Sequence, residues 1–153
     1  MRHEDGASLA ALMREFAAWE ELHVPTEEES ARLLHDALGD PQRIEVWVVE
    51  GEGAGLVGFA IFYDRYSSFR ARRVLHLEDF FLQPGVRGTG IGARLFRAIV
   101  EEAERRGACR LEWEVLDWNV QAQAFYYRMG GERTRDSFGF LLREENFAKA
   151  LKR

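Results

Sequence analysis

Residues 74–106 constrain the fold of this chain more than any other stretch, because they predict a strand, a glycine-rich loop and a helix in direct succession. The strand, residues 74–82, is apolar almost throughout, with Glu78 and Asp79 in its middle. An acid pair within so apolar a run is costly unless the carboxylates are paired or used. Both are therefore candidate functional residues, and the alternative is that Glu78 is a solvated carboxylate at a sheet edge.

The loop that follows, residues 87–92, has the sequence Arg-Gly-Thr-Gly-Ile-Gly. The first N–H groups of a helix have no intrahelical acceptor, and the positive end of the helix dipole lies beside them. With Arg87 next to these donors, the loop predicts a phosphate-binding site. The alternative is a tight turn in which glycine only relieves crowding. The spacing excludes the Gly-x-Gly-x-x-Gly dinucleotide fingerprint and the P-loop, and it fits Arg-x-x-Gly-x-Gly.

Composition and charge narrow the class of protein. The 153 residues suffice for one domain, and 46% hydrophobic with 31% charged residues is typical of a soluble globular protein. A net charge of −5 argues against a nucleic-acid partner. Cys109 is the single cysteine and the four histidines lack metal-ligand spacing, so we expect no disulfide and no metal. From the length we expect a single domain, residues 1–153. The sequence has no recognisable leader and no long apolar run, so we expect a cytoplasmic protein with no membrane partner.

Hydrophobic periodicity predicts the remaining elements. Two helices come first, and Thr26 and Glu29 stand at capping-box spacing at the start of the second. The predicted elements are helices at 7–21 and 26–38, strands at 44–49 and 56–63, a polar loop at 64–73, the central strand and its helix, a strand at 111–115, a helix at 120–129, a strand through Phe138, Phe140 and Leu142, and a helix from Glu144 to Lys152 with Phe147 and Leu151 inward. This order predicts an α/β (α+β) fold, a mixed β-sheet with helices on both faces.

Two motifs together resemble the GNAT superfamily of acyl-CoA-dependent N-acyltransferases. Arg-x-x-Gly-x-Gly is the pyrophosphate-binding signature of that superfamily. Its last motif, an asparagine, an apolar helix with Phe-Tyr and then a glycine, is present from Asn119 to Gly130. Within the superfamily, Leu-Glu-Asp-Phe-Phe at residues 77–81 and Trp118-Asn119 are similar to the spermidine/spermine (diamine) acetyltransferase family. The resemblance runs from about Leu9 to the C-terminus and implies the GNAT fold with acetyl-CoA as co-substrate.

The resemblance also implies where acetyl-CoA binds. In this fold the pantetheine lies along the central strand like an added strand, where the parallel neighbour splays away and leaves backbone groups unpaired. The pyrophosphate lies on the glycine loop. The implied cofactor-binding residues are Phe80, Phe81, Leu82, Arg87, Gly88, Thr89, Gly90, Ile91, Gly92, Asn119 and Phe125.

Two catalytic residues follow from the resemblance. A primary amine with a pKa of about 10 is almost wholly protonated at neutral pH, so acyl transfer needs a group that takes its proton. Glu78 is the family's candidate base, acting through a water molecule. Tyr126, seven residues after Asn119, is the candidate acid for the departing CoA thiolate. The alternative for Tyr126 is core packing, and Tyr127 falls on the polar side of the helix by periodicity.

Carboxylates beside aromatic rings suit a cationic amine through charge pairing and cation–π contacts. The candidates for substrate binding are Trp19, Glu20, Glu78, Asp79, Asp117 and Trp118. For Glu20, a solvated acidic surface is an equal alternative. Ser67 and Val120 stand where polyamine-acetylating members tend to have acids, so smaller amines, thialysine-like amino acids and lysine stay open.

The chain also departs from the family at its start, where the first strand is missing or shortened. We expect an N-acetyltransferase that acts by direct attack of a primary amine in a ternary complex. Family members are homodimers, so a homodimer is expected here.

Two other functions stay open. One is an acetyltransferase for a protein lysine or N-terminus, and the other is a non-catalytic CoA-binding regulatory module.

Overall fold

The computed structural model describes residues 1–53, 55–134 and 139–151, which form two compact units, Met1–Glu114 and Val115–Arg153. The first unit contains α1 (Gly6–Glu20), α2 (Glu27–Leu38), β1 (Glu45–Glu50), β2 (Leu56–Ser67), β3 (Arg72–Leu82), α3 (Ile91–Arg105) and β4 (Leu111–Glu112). The second contains α4 (Val120–Arg128) and the short α5 (Phe147–Ala150). None of the helices in the described ranges is long and apolar enough to cross a membrane.

The four strands form one mixed sheet in the order β1-β2-β3-β4. β1 and β3 pair antiparallel with β2, and β4 pairs parallel with β3. Antiparallel neighbours need only a hairpin, whereas the parallel pair needs a crossover, which α3 supplies. At the N-terminus a 3-10 turn, His3–Asp5, leads directly into α1, so no strand precedes that helix in residues 1–53.

α1 and α2 cover one face of this sheet. Phe59 and Ile61 of β2 and Phe81 of β3 form one buried cluster there with Leu9 and Leu12 of α1. A fully buried side chain of this size contributes roughly 1.5–3 kcal/mol. The cluster therefore fixes the centre of the β2–β3 pair against α1.

α3 covers the opposite face. Phe96 of α3 lies edge-on to Phe80 of β3, with ring centroids 6.2 Å apart, and to Trp113 at 5.4 Å. Arg106, directly after α3, has its guanidinium 5.5 Å from the ring centroid of Phe62 on β2. Helices thus lie on both faces of the sheet, which confirms the predicted fold class.

The start of α2 confirms the predicted capping box. Thr26 Oγ1 accepts the N–H of Glu29 at 3.2 Å, and Glu29 Oε2 accepts the N–H of Thr26 at 2.8 Å. The Thr26 N–H, followed by the His23 side chain, lowers the pKa of Glu29 to about 2. The first turn of α2 is therefore held by reciprocal side-chain bonds.

The β2–β3 hairpin is longer than its composition predicts. A loop is expected over residues 64–73, but β2 runs to Ser67 and β3 begins at Arg72. The prediction is wrong because charged side chains pair across the solvent-exposed arm, as in the 3.0 Å ion pair between Arg73 Nη1 and Asp64 Oδ2. Polarity alone therefore does not separate an exposed hairpin arm from a loop.

β4 is shorter than predicted. Alternation of apolar and polar residues predicts a strand at 111–115, whereas the strand that forms is Leu111–Glu112. It pairs with β3 at Leu75–Leu111 and His76–Glu112, and the ladder ends there. β3 itself continues to Leu82. Alternation predicts which side chains would lie on the same face of a strand. A strand also needs a neighbouring strand at hydrogen-bonding distance, which alternation does not predict.

The C-terminal predictions hold only in part. Phe138 and Lys152 lie outside the described residues, and residues 139–143 form no strand. The predicted terminal helix is a 3-10 turn, Glu144–Asn146, followed by α5. Phe147 and Leu151 are exposed rather than inward, because in the described residues no apolar face covers them. Phe140, also expected in a strand, is 96% exposed.

Candidate active site

An irregularity in β3 brings Glu78 and Asp79 together. Asp79 pairs with Ile61 of β2, and Leu77 pairs with the next residue, Phe62, so Glu78 is an extra residue with no partner on β2. This is a β-bulge, which interrupts the alternation of side chains between the two faces. Without it, adjacent residues such as Glu78 and Asp79 would point to opposite faces of the sheet.

Both carboxyl groups lie on the α1 face of the sheet. Asp79 shares a face with its partner Ile61, which belongs to the core under α1. Glu78 accepts a hydrogen bond from the hydroxyl of Tyr63 at 2.9 Å, and Tyr63 lies two residues beyond Ile61 on the same face. The bulge thus places two acidic groups next to each other on one surface.

Asp79 is the more perturbed of the two groups. Burial raises the pKa of Asp79 to about 6, and the negative charges of Glu78 and of Glu20, the last residue of α1, add to the rise. The structure therefore brings Asp79 into electrostatic contact with two other predicted substrate residues, Glu78 and Glu20. A cation that binds here would relieve their repulsion.

We predict a pH-dependent stability difference for Asp79→Asn. The folded pKa of about 6 lies above the unfolded value of about 3.9, so the wild-type protein loses stability as pH rises from about 4 through about 6. The variant lacks this loss. Its free energy of unfolding relative to wild type should rise by roughly 2 kcal/mol between pH 4 and pH 8, measured by urea titration at a series of pH values.

Glu29→Gln is the control, because its effect on stability should change with pH in the opposite direction to that of Asp79→Asn. Its folded pKa of about 2 lies below the unfolded value of about 4.3, so the Glu29 carboxylate stabilises the fold above about pH 4.3 and loses that effect as pH falls toward 2. This variant should be less stable than wild type at neutral pH, with the gap closing in acid. Parallel pH curves for the two variants would contradict the assignment.

Glu78 makes two contacts through one oxygen. Its Oε2 accepts from Tyr63 and lies 3.2 Å from Nε2 of His76, while the side chain is 51% exposed. Burial, followed by the hydrogen bond to Glu78, raises the pKa of Tyr63. Glu78 Oε2 is thus held by the Tyr63 hydroxyl and lies beside the His76 ring, and the rest of the side chain is open to solvent.

The glycine loop has the predicted form at the start of α3. Gly88 and Gly90 have φ of 79° and 86°, a left-handed conformation that favours glycine. Apart from the adjoining residues, no atom lies within 4 Å of where a Cβ would stand on either glycine. Gly90 is the N-cap and supplies no side chain to the first N–H groups of α3. The open space at Gly88 and Gly90, directly before these donors, is a geometry that fits a phosphate group.

The Arg87 side chain turns away from the loop donors. Its Nε donates to the carbonyl oxygen of Leu82 at 2.8 Å, and its guanidinium lies 4.5 Å from the ring centroid of Trp19 and 5.7 Å from that of Phe81. The Leu82 carbonyl therefore has an internal partner, although free backbone groups were expected near this residue. Arg87 instead links the end of β3 to the end of α1.

The predicted cofactor residues of β3 divide between the two faces. Phe81 packs on Phe16 and Phe59 under α1, with ring centroids at 5.3 and 5.9 Å. Phe80 points to the α3 face, against Phe96. The β3–β4 ladder ends before both of them, at His76. This agrees with a neighbour strand that diverges from the central strand.

The second unit contains the remaining candidates. Asn119 is the N-cap of α4, and its Oδ1 accepts the N–H of Ala122 at 3.1 Å. The carbonyl oxygen of Asp117 accepts from Gln123 Nε2 at 3.0 Å, and Trp118 is exposed. The Tyr126 ring lies edge-on to that of Phe125, at 5.2 Å. Asn119 therefore fixes the start of the helix that carries Tyr126.

The neighbouring tyrosines differ in exposure as the helical periodicity predicts. Tyr126 is half-buried, whereas Tyr127 is 56% exposed. This keeps Tyr126 as the better candidate for a group that needs a fixed position.

Comparison with known proteins identifies the family. The sequence profile described as "Acetyltransferase (GNAT) family" matches residues 9–131, which is most of the chain and spans parts of both units. The chain belongs to the GNAT acetyltransferase family.

Curated GNAT relatives are similar over much of the chain. "Thialysine N-epsilon-acetyltransferase" of Mus musculus is 31% identical over 147 residues, covering 92% of this chain and 86% of the relative. "Spermidine/spermine N(1)-acetyltransferase-like protein 1" of Homo sapiens is 32% identical over 83% of this chain and 19% of that protein. The protein is therefore an acetyl-CoA-dependent N-acetyltransferase.

A solved structure agrees on the GNAT fold. The structure described as "Crystal structure of a probable acetyltransferase" superimposes with a TM-score of 0.80, at 19% identity, over 94% of each chain. At this identity the likeness concerns the fold alone. It confirms the mixed sheet with flanking helices as the GNAT fold.

Two residues that contact Glu78, Tyr63 and His76, were not among the candidates predicted from the sequence. His76 precedes Glu78 by two positions in one strand, so the period of two was a signal that both share a face. Tyr63 gave no such signal, because the register between β2 and β3 cannot be read from either strand alone.

Proposed function

We propose that this enzyme transfers the acetyl group of acetyl-CoA to a primary amine of a small molecule. The proposed acceptors are polyamines, diamines and lysine- or thialysine-like amino acids. The single observation that carries this proposal is the bulge at Glu78, which sets Glu78 and Asp79 side by side on one face with Glu20 nearby. Adjacent carboxylates suit an ammonium group that must first be bound and then deprotonated.

The proposed reaction is a direct attack within a ternary complex. The amine nitrogen forms a bond to the thioester carbonyl carbon, the carbon–sulfur bond breaks, and CoA leaves as a thiolate. Glu78 takes the proton of the amine, through a water molecule, and Tyr126 gives a proton to the thiolate. About half of the Glu78 side chain is exposed, which supports its access to solvent and substrate. Tyr126 is partly buried, which supports a role as a proton donor held in a fixed position.

For acetyl-CoA we propose two contact regions in the first unit. The N–H groups from Gly88 to Gly92, with Thr89 and Ile91 between the glycines, would hold the pyrophosphate, supported by the open space above Gly88 and Gly90. The pantetheine would lie along β3 at residues 80–82, supported by the end of the β4 ladder at His76. Arg87 is also proposed as a cofactor residue at this loop, and its hydrogen bond to the Leu82 carbonyl oxygen holds the end of β3 in place.

In the second unit we propose that Asn119 and Phe125 contribute to the cofactor site. The cap that Asn119 forms on α4 supports a role in setting the position of that helix. Asp117 and Trp118, directly before the cap, remain candidates for binding the amine. The exposed position of Trp118 supports contact with a ligand.

The names of the relatives and the negative charge at Asp79 favour a small cationic acceptor. Thialysine and spermidine/spermine appear in the names of the relatives, and both are compact cationic amines. Asp79 and Glu20 supply negative charge for a second ammonium group on the same molecule. We also propose a homodimer, and the exposed apolar side chains Phe140, Leu141 and Leu142 support an interface at that segment.

The function is tested by thiol release from acetyl-CoA with a panel of spermidine, putrescine, lysine, thialysine and a lysine-containing peptide. We expect saturable turnover on at least one free amine and a lower kcat/KM on the peptide. Nε-acetyl-lysine and Nα-acetyl-lysine are a matched pair, because only the second keeps the side-chain amine. If the acceptor is of the lysine type, Nα-acetyl-lysine should still be turned over and Nε-acetyl-lysine should not.

Two outcomes would overturn the proposal. Turnover on the peptide alone would favour a protein acetyltransferase. If calorimetry shows saturable binding of acetyl-CoA but no amine is turned over, the result would favour a regulatory module.

A further inference from the structure

We infer that His76, together with Tyr63, is a positioning residue for Glu78, holding its carboxylate so that one oxygen stays available for the amine proton. The inference rests on the proposed role of Glu78 as base. It concerns a residue that neither the loop motif nor the acid pair contains.

Glu78 needs such a contact because it lies at the bulge. A residue without a cross-strand partner has no residue directly opposite it on β2 that would fix its position. Its side chain is also half exposed, so the sheet itself leaves several rotamers open. The two contacts at Oε2 supply the missing constraint, one from Tyr63 at 2.9 Å and one from His76 at 3.2 Å.

His76 is itself fixed from both sides. It pairs with Tyr63 on β2, with ring centroids 5.1 Å apart, and with Glu112 on β4. The imidazole is buried, in contrast to Glu78. Burial restricts the motion of the ring, so His76 links the position of the sheet to that of the exposed carboxylate.

The partner of the other ring nitrogen determines where the imidazole proton lies. Nη1 of Arg65 lies 3.4 Å from Nδ1 of His76 and 2.8 Å from Oε1 of Glu112. A guanidinium can only donate, so this contact favours Nδ1 as the acceptor and Nε2 as the protonated nitrogen, although Glu112 Oε1 also lies 3.9 Å from Nδ1. Nε2 is the atom that faces Glu78, so His76 presents a donor to the carboxylate.

Both contacts converge on a single oxygen. Tyr63 and His76 reach Oε2, and in the described residues no hydrogen bond or ion pair reaches Oε1 of Glu78. A carboxylate held by one oxygen keeps the other oriented and open. Misplacement of a reacting group by about 1 Å can lower the rate about 100-fold, so this constraint is large enough to measure.

The test compares His76→Met with His76→Gln, a pair of similar length and shape in which only glutamine keeps an amide donor. We expect His76→Met to lower kcat about tenfold while the KM for acetyl-CoA changes less than about twofold, and His76→Gln to stay within about threefold of wild type. Thermal unfolding of both variants monitors folding. A purely structural role would lower kcat and Tm alike in both variants, which would overturn the inference.

The decisive arm repeats His76→Met in a Glu78→Gln background. If His76 acts through Glu78, adding His76→Met to the Glu78→Gln variant should change kcat by less than about twofold. A full tenfold loss in that background would overturn the inference while leaving Glu78 as base. Wild-type turnover in Glu78→Gln alone would overturn both the base assignment and the inference. Tyr63→Phe should behave like His76→Met, because its donor reaches the same oxygen.

Discussion

Glu78→Gln should lower kcat by about 10²–10⁴-fold and leave the KM for acetyl-CoA nearly unchanged. Loss of a general base typically has this size, because the bound amine keeps its proton and cannot attack. The amide oxygen of glutamine can still accept from Tyr63, so the local structure should persist. The defect should narrow as pH rises toward about 10, where the amine loses its proton without help. Steady-state kinetics between pH 7 and pH 10 measure both effects.

Asp79→Asn is the matched control for this experiment. It removes the same charge from the adjacent residue on the same face of the sheet. Because Asp79 is proposed to bind the ammonium group, we expect its loss to raise the KM for the amine roughly tenfold, with a smaller change in kcat. The opposite pattern, a large loss of kcat in Asp79→Asn and none in Glu78→Gln, would assign the base to Asp79 instead.

The bulge marks the point at which the sequence stops being informative about the site. The strand at residues 74–82 and its two acids were predicted, but alternation alone would put Glu78 and Asp79 on opposite faces. A bulge depends on how β2 and β3 pair, and residues 77–79 carry no proline or glycine that would indicate it. The presence of the acid pair within this strand was therefore predictable, whereas its geometry was not.

Local signals predicted their own parts of the fold well. The capping box at Thr26 and the glycine loop depend on residues within a few positions of each other, and both are confirmed. The contact of the Arg87 side chain with Trp19, far away in sequence, could not be predicted from the loop alone. The predicted strand at the C-terminus also failed in residues 139–143, since a strand requires a partner that sequence alternation does not specify.

Arg106→Leu should lower the free energy of unfolding by about 3–5 kcal/mol, the cost typical of removing one partner from a buried ion pair. The Arg106 side chain is only 10% exposed and contacts Glu45, Glu102 at 2.6 Å and Asp64 at 3.6 Å. Its removal leaves three carboxylates facing each other without their shared cation. Hydrogen bonds from Arg105 and Arg106 lower the pKa of Glu102 to about 2, so this carboxylate stays charged at neutral pH.

Arg105→Leu is the control, because Arg105 also binds Glu102 but is 71% exposed. An exposed pair contributes at most about 1 kcal/mol, so this variant should stay within that range in urea denaturation. Equal losses in the two variants would show that the pairing with Glu102, rather than the burial of Arg106, carries the energy. The difference matters for the active site because Arg106 ties the end of α3 to β1 and β2, and the beginning of the same helix holds the glycine loop. A helix fixed at its far end presents its first N–H groups in one position, which is what binding a pyrophosphate requires.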